Sequence, residues 1–226
     1  MFNLENYHLK SLSFSESLSS KETAYFKDKT TRLELKKKQV LFKEGSFSKG
    51  VYIVRKGKIK IYKSNPQGTE SIVYIYKKGD YFGYRPLLAE DPNPVSAAAI
   101  DNSVITFLPK EFFMALINKS DSLARKILIN LSKEFSVWIN KMTVFTQYSV
   151  KERIALSLLI LNKVYQNGED KKVVISINRD DFASFVGTAK ESLVRNLRHF
   201  KDEKIISSQG TKIIVLKPNE LHAYLL

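Results

Sequence analysis

Along the first half of this chain, short runs of apolar residues alternate with turn residues. Six of the nine glycines, Gly45, Gly50, Gly57, Gly68, Gly79 and Gly83, fall between positions 45 and 83. Between them lie segments rich in Val, Ile, Tyr and Phe, the rhythm of β-strands separated by tight turns. Val51–Val54 and Lys58–Tyr62 flank Lys56-Gly57 and predict a hairpin, the second strand alternating apolar with basic side chains as a half-buried strand does. Further strands are expected at Ser71–Tyr76, Val95–Ile100 and Ser103–Leu108. Many short strands with regular turns predict a barrel or jelly roll, not a parallel sheet.

After Pro109 no glycine appears until Gly168, and the apolar period becomes helical. Ala124, Leu128, Leu131, Phe135, Trp138, Met142 and Phe145 are spaced 4, 3, 4, 3, 4, 3. That is a coiled-coil seam of about three heptads. A long helix over 121–146 that pairs with its own copy accounts for the spacing; a single buried helix of a monomer is the alternative. Ile127, Ile129, Val137 and Ile139 lie outside the seam and are expected to give a second face resting on the barrel. A further helix, Val150–Tyr165, is followed by a polar stretch, Gln166–Lys172, that reads as a loop.

The segment Asn178–Phe200 carries the sharpest local signal. Asn178 suits a helix N-cap, with Asp180 and Asp181 where the helix dipole favours negative charge. Ala183 is a small residue where two helices cross, and Gly187 sits where the intervening turn needs an unusual backbone. Thr188-Ala-Lys-Glu191 has the form of a capping box, predicting a second helix with Thr188 as N-cap. On that helix Leu193, Leu197 and Phe200 share one face, while Lys190, Glu191, Ser192, Arg195 and Arg198 lie largely away from it. An apolar back with a polar, partly basic front suits a helix laid in the major groove of DNA. Arg195 has the fork to bind guanine O6 and N7, Glu191 accepts from a cytosine amine, and Arg179, Thr188 and Ser192 have the reach for phosphates. Lys190, Arg195 and Arg198 also fit a solvated helix face, and Glu191 a simple cap. Ile205–Leu216 supplies two strands around Gly210, a wing.

Composition narrows the picture. The chain has 226 residues, enough for two modest domains, each with its own core. It is 43% hydrophobic and 27% charged, as an ordinary soluble protein is. The longest apolar run, Ile154–Leu161, is too short to span a bilayer, and Met1–Lys10 lacks the apolar core of a secretory signal. A cytoplasmic protein is expected. Absence of cysteine excludes disulfides, thiolate zinc sites and cysteine-ligated iron-sulfur clusters. A formal charge of +14 favours polyanionic partners. No nucleophile with a plausible base, metal-spaced His/Asp/Glu cluster or phosphate-cradling glycine loop is visible, so no enzyme is expected.

Taken together, Gly50-Val-Tyr-Ile-Val-Arg-Lys-Gly-Lys-Ile-Lys-Ile-Tyr62, Gly79-Asp-Tyr-Phe-Gly83 and Val186-Gly-Thr-Ala-Lys-Glu-Ser-Leu-Val-Arg195, in that order, resemble the Crp/Fnr family of transcription regulators. The resemblance covers about Leu41 to Leu216. It implies an α+β fold: an N-terminal cyclic-nucleotide-binding-like β-barrel (jelly roll) with N-terminal helices over 1–120, a long dimerisation helix over 121–148, and a C-terminal winged helix-turn-helix over 149–226. It places Glu191 and Arg195 at the family's base-reading positions, with Lys190 where cyclic-AMP-responsive members carry another base-reading arginine. It implies a homodimer on a pseudo-palindromic DNA site with half-sites related to TGA, and RNA polymerase as a partner.

The chain departs from the family's cyclic-nucleotide cassette at two places. Tyr84 follows Phe82-Gly83 where the ribose-binding glutamate is expected, and Val95 precedes Ser96-Ala97 where the phosphate-binding arginine is expected. A phosphate buried beside valine would lose its charge-assisted partner, which argues against cyclic AMP. Trp138 and Ile139 stand where cyclic-AMP-binding members present small hydroxyl residues. Tyr84, Arg85, Ser96 and Trp138 are the candidate lining of an altered effector pocket, and no cofactor is identified. Haem is disfavoured because His8, His199 and His222 all lie outside the barrel segment. The alternative function is a cyclic-nucleotide-type sensor acting through protein partners.

Overall fold

A computed structural model describes residues 3–9, 11, 13–14, 16, 18–166, 168 and 172–225. The chain divides into two units, one of Lys10–Lys63 and Val73–Glu134, the other of Met1–Leu9, Ser64–Ile72 and Phe135–Leu226.

The first unit opens with helix α1 (Ser20–Lys29). Its start is fixed by a capping box, the Ser19 N–H donating to Glu22 Oε2 at 2.7 Å and the Glu22 N–H to Ser19 Oγ at 3.3 Å. Strands β1 (Thr31–Leu35), β2 (Val40–Phe42), β3 (Gly50–Lys56), β4 (Ile59–Ser64), β5 (Glu70–Tyr76) and β6 (Tyr81–Phe82) follow, then helix α2 (Tyr84–Ala89), β7 (Ser96–Ala99), β8 (Ser103–Pro109) and helix α3 (Lys110–Lys119). They form two four-stranded sheets, β1-β8-β3-β6 and β2-β7-β4-β5. Long-range antiparallel pairing such as Val51 with Leu108 and Ile59 with Ala99 fixes the register. The core joins strand residues Val51, Ile53, Tyr81 and Leu108 to Phe113 and Leu116 of α3. This is the jelly-roll layering that the glycine rhythm predicts.

The predicted hairpin is a correction. β3 pairs with β8 and β6, β4 with β7, so the two strands belong to different sheets. Gly57, at φ +82°, turns the chain from one sheet to the other. A Cβ there would lie 2.3 Å from Ser103 Oγ and 2.6 Å from Asp101 Oδ1. Asp101 accepts the Lys58 N–H at 2.7 Å, so side chains far along the chain close the turn.

Helix α4 (Asp121–Gln147) spans the predicted long helix and continues from the first unit into the second. Leu123, Ile127, Asn130 and Glu134 are buried in the first unit, Val137 and Val144 in the second. Of the predicted seam, Leu128, Phe135, Met142 and Phe145 are exposed, while Ala124, Leu131 and Trp138 are half-buried. The second face holds only in part. Ile127 and Val137 are buried, but Ile129 and Ile139 face solvent. Residues two apart on a helix point to nearly opposite sides, so the four could not share one face.

In the second unit, a short 3-10 helix covers Leu4–Asn6. Helix α5 (Val150–Tyr165) starts at a capping box of Ser149 and Glu152 and buries most of its length. The predicted loop Gln166–Lys172 lies in part outside the described residues. Strand β9 (Ile175–Ser176), helices α6 (Arg179–Val186) and α7 (Lys190–Asp202), strands β10 (Ile206–Gln209) and β11 (Lys212–Val215), and helix α8 (Pro218–Ala223) complete the unit. A three-stranded sheet of order β10-β11-β9 forms the wing, and Ile154, Leu158, Phe182, Leu193, Phe200, Ile213 and Leu221 are fully buried. Among the described helices, none is long and apolar enough to cross a membrane.

Candidate nucleic-acid interface

α6 and α7 are held at a fixed turn by backbone hydrogen bonds. Asn178 caps α6 by accepting the Asp181 N–H at 2.8 Å. Gly187 adopts φ +70°, and its N–H and that of Thr188 both donate to the Ala183 carbonyl, at 2.9 and 3.1 Å. The capping box predicted for α7 does not form. Ala189 is the N-cap, with no side-chain cap bond, because Thr188 is drawn into the turn closing α6. Glu191 thereby moves to the second helical position and its carboxylate is not used to cap the helix.

The back of α7 is apolar and buried through Leu193, Leu197 and Phe200. Its front exposes Lys190, Glu191, Arg195 and Arg198, with Ser192 and Thr188 half-buried. Among the described residues, the Glu191 and Arg195 side chains make no hydrogen bond or ion pair within the protein. Lys190 differs, its ammonium pairing with Asp180 of α6 at 2.8 Å. Arg198 approaches Asp202 at 4.0 Å, both side chains mostly in solvent, an association worth little. Arg179 is drawn toward the wing: Nη2 donates to the Gly210 carbonyl at 2.9 Å, while Nη1 is buried without a hydrogen-bond partner. Val194, 46% exposed between Glu191 and Arg195, was missed by sequence reasoning because valine counts as core. Its place on a polar front was the available signal. Val194, Arg198, Lys201 and Arg179 line a groove between α7 and Ser208 of the wing.

The residues expected to line an effector pocket are in two units, Tyr84, Arg85 and Ser96 in the first and Trp138 in the second. Tyr84 is 1% exposed and its hydroxyl accepts from Asn130 Nδ2 at 3.1 Å. Ser96 is buried, its hydroxyl accepting the Glu44 N–H at 2.9 Å. Arg85 is exposed and Trp138 half-buried. Both hydroxyls thus accept hydrogen bonds from within the first unit. The described residues contain no cluster of His, Cys, Asp and Glu suited to a metal ion.

A jelly-roll unit and a winged helix-turn-helix with an exposed polar front define a DNA-binding transcription regulator. The cyclic nucleotide-binding domain matches residues 32–120, and the Crp-like helix-turn-helix domain matches residues 152–224. The chain is 28% identical over 189 residues to the fumarate and nitrate reduction regulatory protein of Vibrio cholerae, covering 83% of this chain and 75% of that one. It is 26% identical over 191 residues to the transcriptional activator protein Anr of Pseudomonas protegens, covering 84% and 78%. The structure of FixK2 from Bradyrhizobium japonicum has the same fold, with a TM-score of 0.77 at 20% identity, over 86% of this chain and 96% of that one. The chain belongs to the Crp/Fnr family. It is a transcription regulator.

Proposed function

We propose that the protein acts as a homodimer on a pseudo-palindromic DNA site, each copy laying α7 in the major groove. The observation that carries this reading is the division of α7: a fully buried apolar back and an exposed front on which Glu191 and Arg195 are uncommitted. Arg195 contacts guanine, Glu191 a cytosine amine, and the apolar Val194 between them meets a thymine methyl. Thr188, Ser192 and Arg198 contact phosphates. Arg179 braces the wing through its bond to the Gly210 carbonyl, and Lys190 reaches DNA after leaving Asp180.

The dimer forms along Ala124, Leu128, Leu131, Phe135, Trp138, Met142 and Phe145. Four exposed large apolar side chains at heptad spacing support it, since a stripe of this kind is costly in water and is covered by a copy of itself in a parallel coiled coil. Two-fold symmetry then separates the half-sites by about one helical turn, ~34 Å. The barrel senses a signal other than cyclic AMP, for Val95 supplies no cation for a phosphate. The regulator works in the cytoplasm with RNA polymerase as its partner.

Selection of bound duplexes from a random pool by the purified protein, at ~150 mM salt where nonspecific phosphate binding is weakened, tests the central claim. Enrichment of a two-fold symmetric motif is expected. Failure to enrich any motif, with or without cell extract, would overturn it.

A further inference from the structure

Asn130 and Glu134 stand one helical turn apart on the buried side of α4, 0% and 5% exposed. Asn130 Nδ2 donates to the Tyr84 hydroxyl at 3.1 Å and to Glu134 Oε1 at 3.2 Å. The remaining acceptors of the pair, Asn130 Oδ1 and Glu134 Oε2, are buried with no hydrogen-bond partner. Two buried acceptors without donors, one of them on a carboxylate, are a standing penalty in a medium of low polarity. Each exposes less than 1 Å², so neither a water nor a ligand atom reaches them in this conformation. A proton needs no such room.

We propose that Glu134 is a proton-binding site of the barrel unit, and that the protonated acid pairs with Asn130 and tightens α4 on the barrel. A proton on Oε2 turns that oxygen into a donor toward Asn130 Oδ1. Each side chain then gives one hydrogen bond and takes one, closing an amide–acid ring in which a single proton satisfies both orphaned atoms. The inference names a proton as an effector of the barrel. It rests on the sensing role proposed above only for its regulatory meaning.

The surroundings favour the protonated form. Burial is the main cause that raises the Glu134 carboxyl from 4.5 to about 6. The Tyr84 hydroxyl and the Arg85 charge, both on α2, oppose the rise, and the Asp80 carboxylate reinforces it. Arg85 is exposed, so water solvates most of its charge. Asp80, in the turn before β6, is itself raised by burial to about 6, against the Lys77 N–H that donates to its Oδ2 at 2.9 Å. Tyr76 of β5, Tyr81 of β6 and Tyr84 also face the Glu134 charge; burial pushes all three upward, and they stay neutral throughout this range. Because the folded-state value of Glu134 lies above 4.5, its contribution to stability is complete below pH 4.5 and is lost as the pH rises through about 6.

Denaturant unfolding of the full chain between pH 5 and pH 8 tests this, comparing wild type, Glu134→Gln and Asp80→Asn. The folding equilibrium constant of wild type should rise on acidification. Glu134 alone supplies roughly an eightfold gain between pH 7 and pH 5. Glu134→Gln should lose that share, because the amide offers Asn130 the same ring of bonds without a titrating proton, while Asp80→Asn should keep it. Superimposable pH profiles for wild type and Glu134→Gln overturn the proposal. Should Glu134→Gln not fold, carbon-13 titration of the wild-type carboxyl signals decides alone. A glutamate with its midpoint near 6 is expected, and the absence of any glutamate titrating above pH 5 overturns it. Both readouts work without DNA, so their failure is separate from failure of the DNA-reading proposal.

Discussion

Gly187 and Phe145 are in contact: a Cβ built on Gly187 would lie 2.7 Å from Phe145 Cε1, closer than unbonded carbons approach. Phe145 ends the apolar stripe of α4, and Gly187 is the turn between α6 and α7. A seam side chain therefore touches the backbone that aims α7. Gly187→Ala meets two penalties, the left-handed φ of +70° and the ring. It should destabilise the protein by about 1–3 kcal/mol, read as a lower denaturant midpoint. Adding Phe145→Ala removes the collision but not the backbone strain, so the double variant should lose less than the sum of the singles.

Arg195→Ala should weaken binding to the selected duplex by about 1–3 kcal/mol and relax preference at one base pair. Its side chain is exposed, so the melting temperature should hold. Competition binding against duplexes varied one position at a time reads both effects. Unchanged affinity together with unchanged preference would remove Arg195 from the base-reading set.

Phe135→Asp places a charge in the middle of the proposed seam. Phe135 is 66% exposed within one chain, so the fold of that chain should survive. The dimer should dissociate, with association weakened by about 2 kcal/mol or more, as expected for an anchoring aromatic at an interface. Sedimentation as a function of concentration checks it. A variant that sediments as wild type does would place the dimer contact elsewhere.

Phe200 is fully buried at the back of α7, its ring edge-on to Tyr224 with centroids 5.3 Å apart. Phe200→Ala should cost about 3–5 kcal/mol of stability in the second unit. Far-ultraviolet circular dichroism during thermal unfolding should show an earlier transition, and DNA binding should fall with the folded fraction.

Isothermal titration with cyclic AMP should give no saturable heat at micromolar ligand. The reason lies in charge: Val95 supplies no counterion for the cyclic phosphate.

What the sequence disclosed depended on how local the determining contacts are. α5 begins and ends where its apolar pattern places it, because that pattern lies within the segment. The helix-turn-helix was legible for the same reason, down to the Asn178 cap and Gly187. The crossing between β3 and β4 was not, since it depends on Asp101 and Ser103, more than forty residues away. α2 contains Pro86, a residue that ordinarily ends helices. Here it sits in the first helical turn, where a missing N–H has no consequence. β9 and α8 are too short to show a period. At the interface, the residue types on the front of α7 were visible. The Lys190–Asp180 pair and the Arg179 bond to Gly210 were not, being properties of three-dimensional proximity.

Glu134 and Phe135 are consecutive, yet one is buried and the other open to solvent. Along α4 a single step of about 100° therefore decides whether a side chain enters the core of the first unit or meets solvent, and a slip of one residue in that register would exchange Glu134 for Phe135.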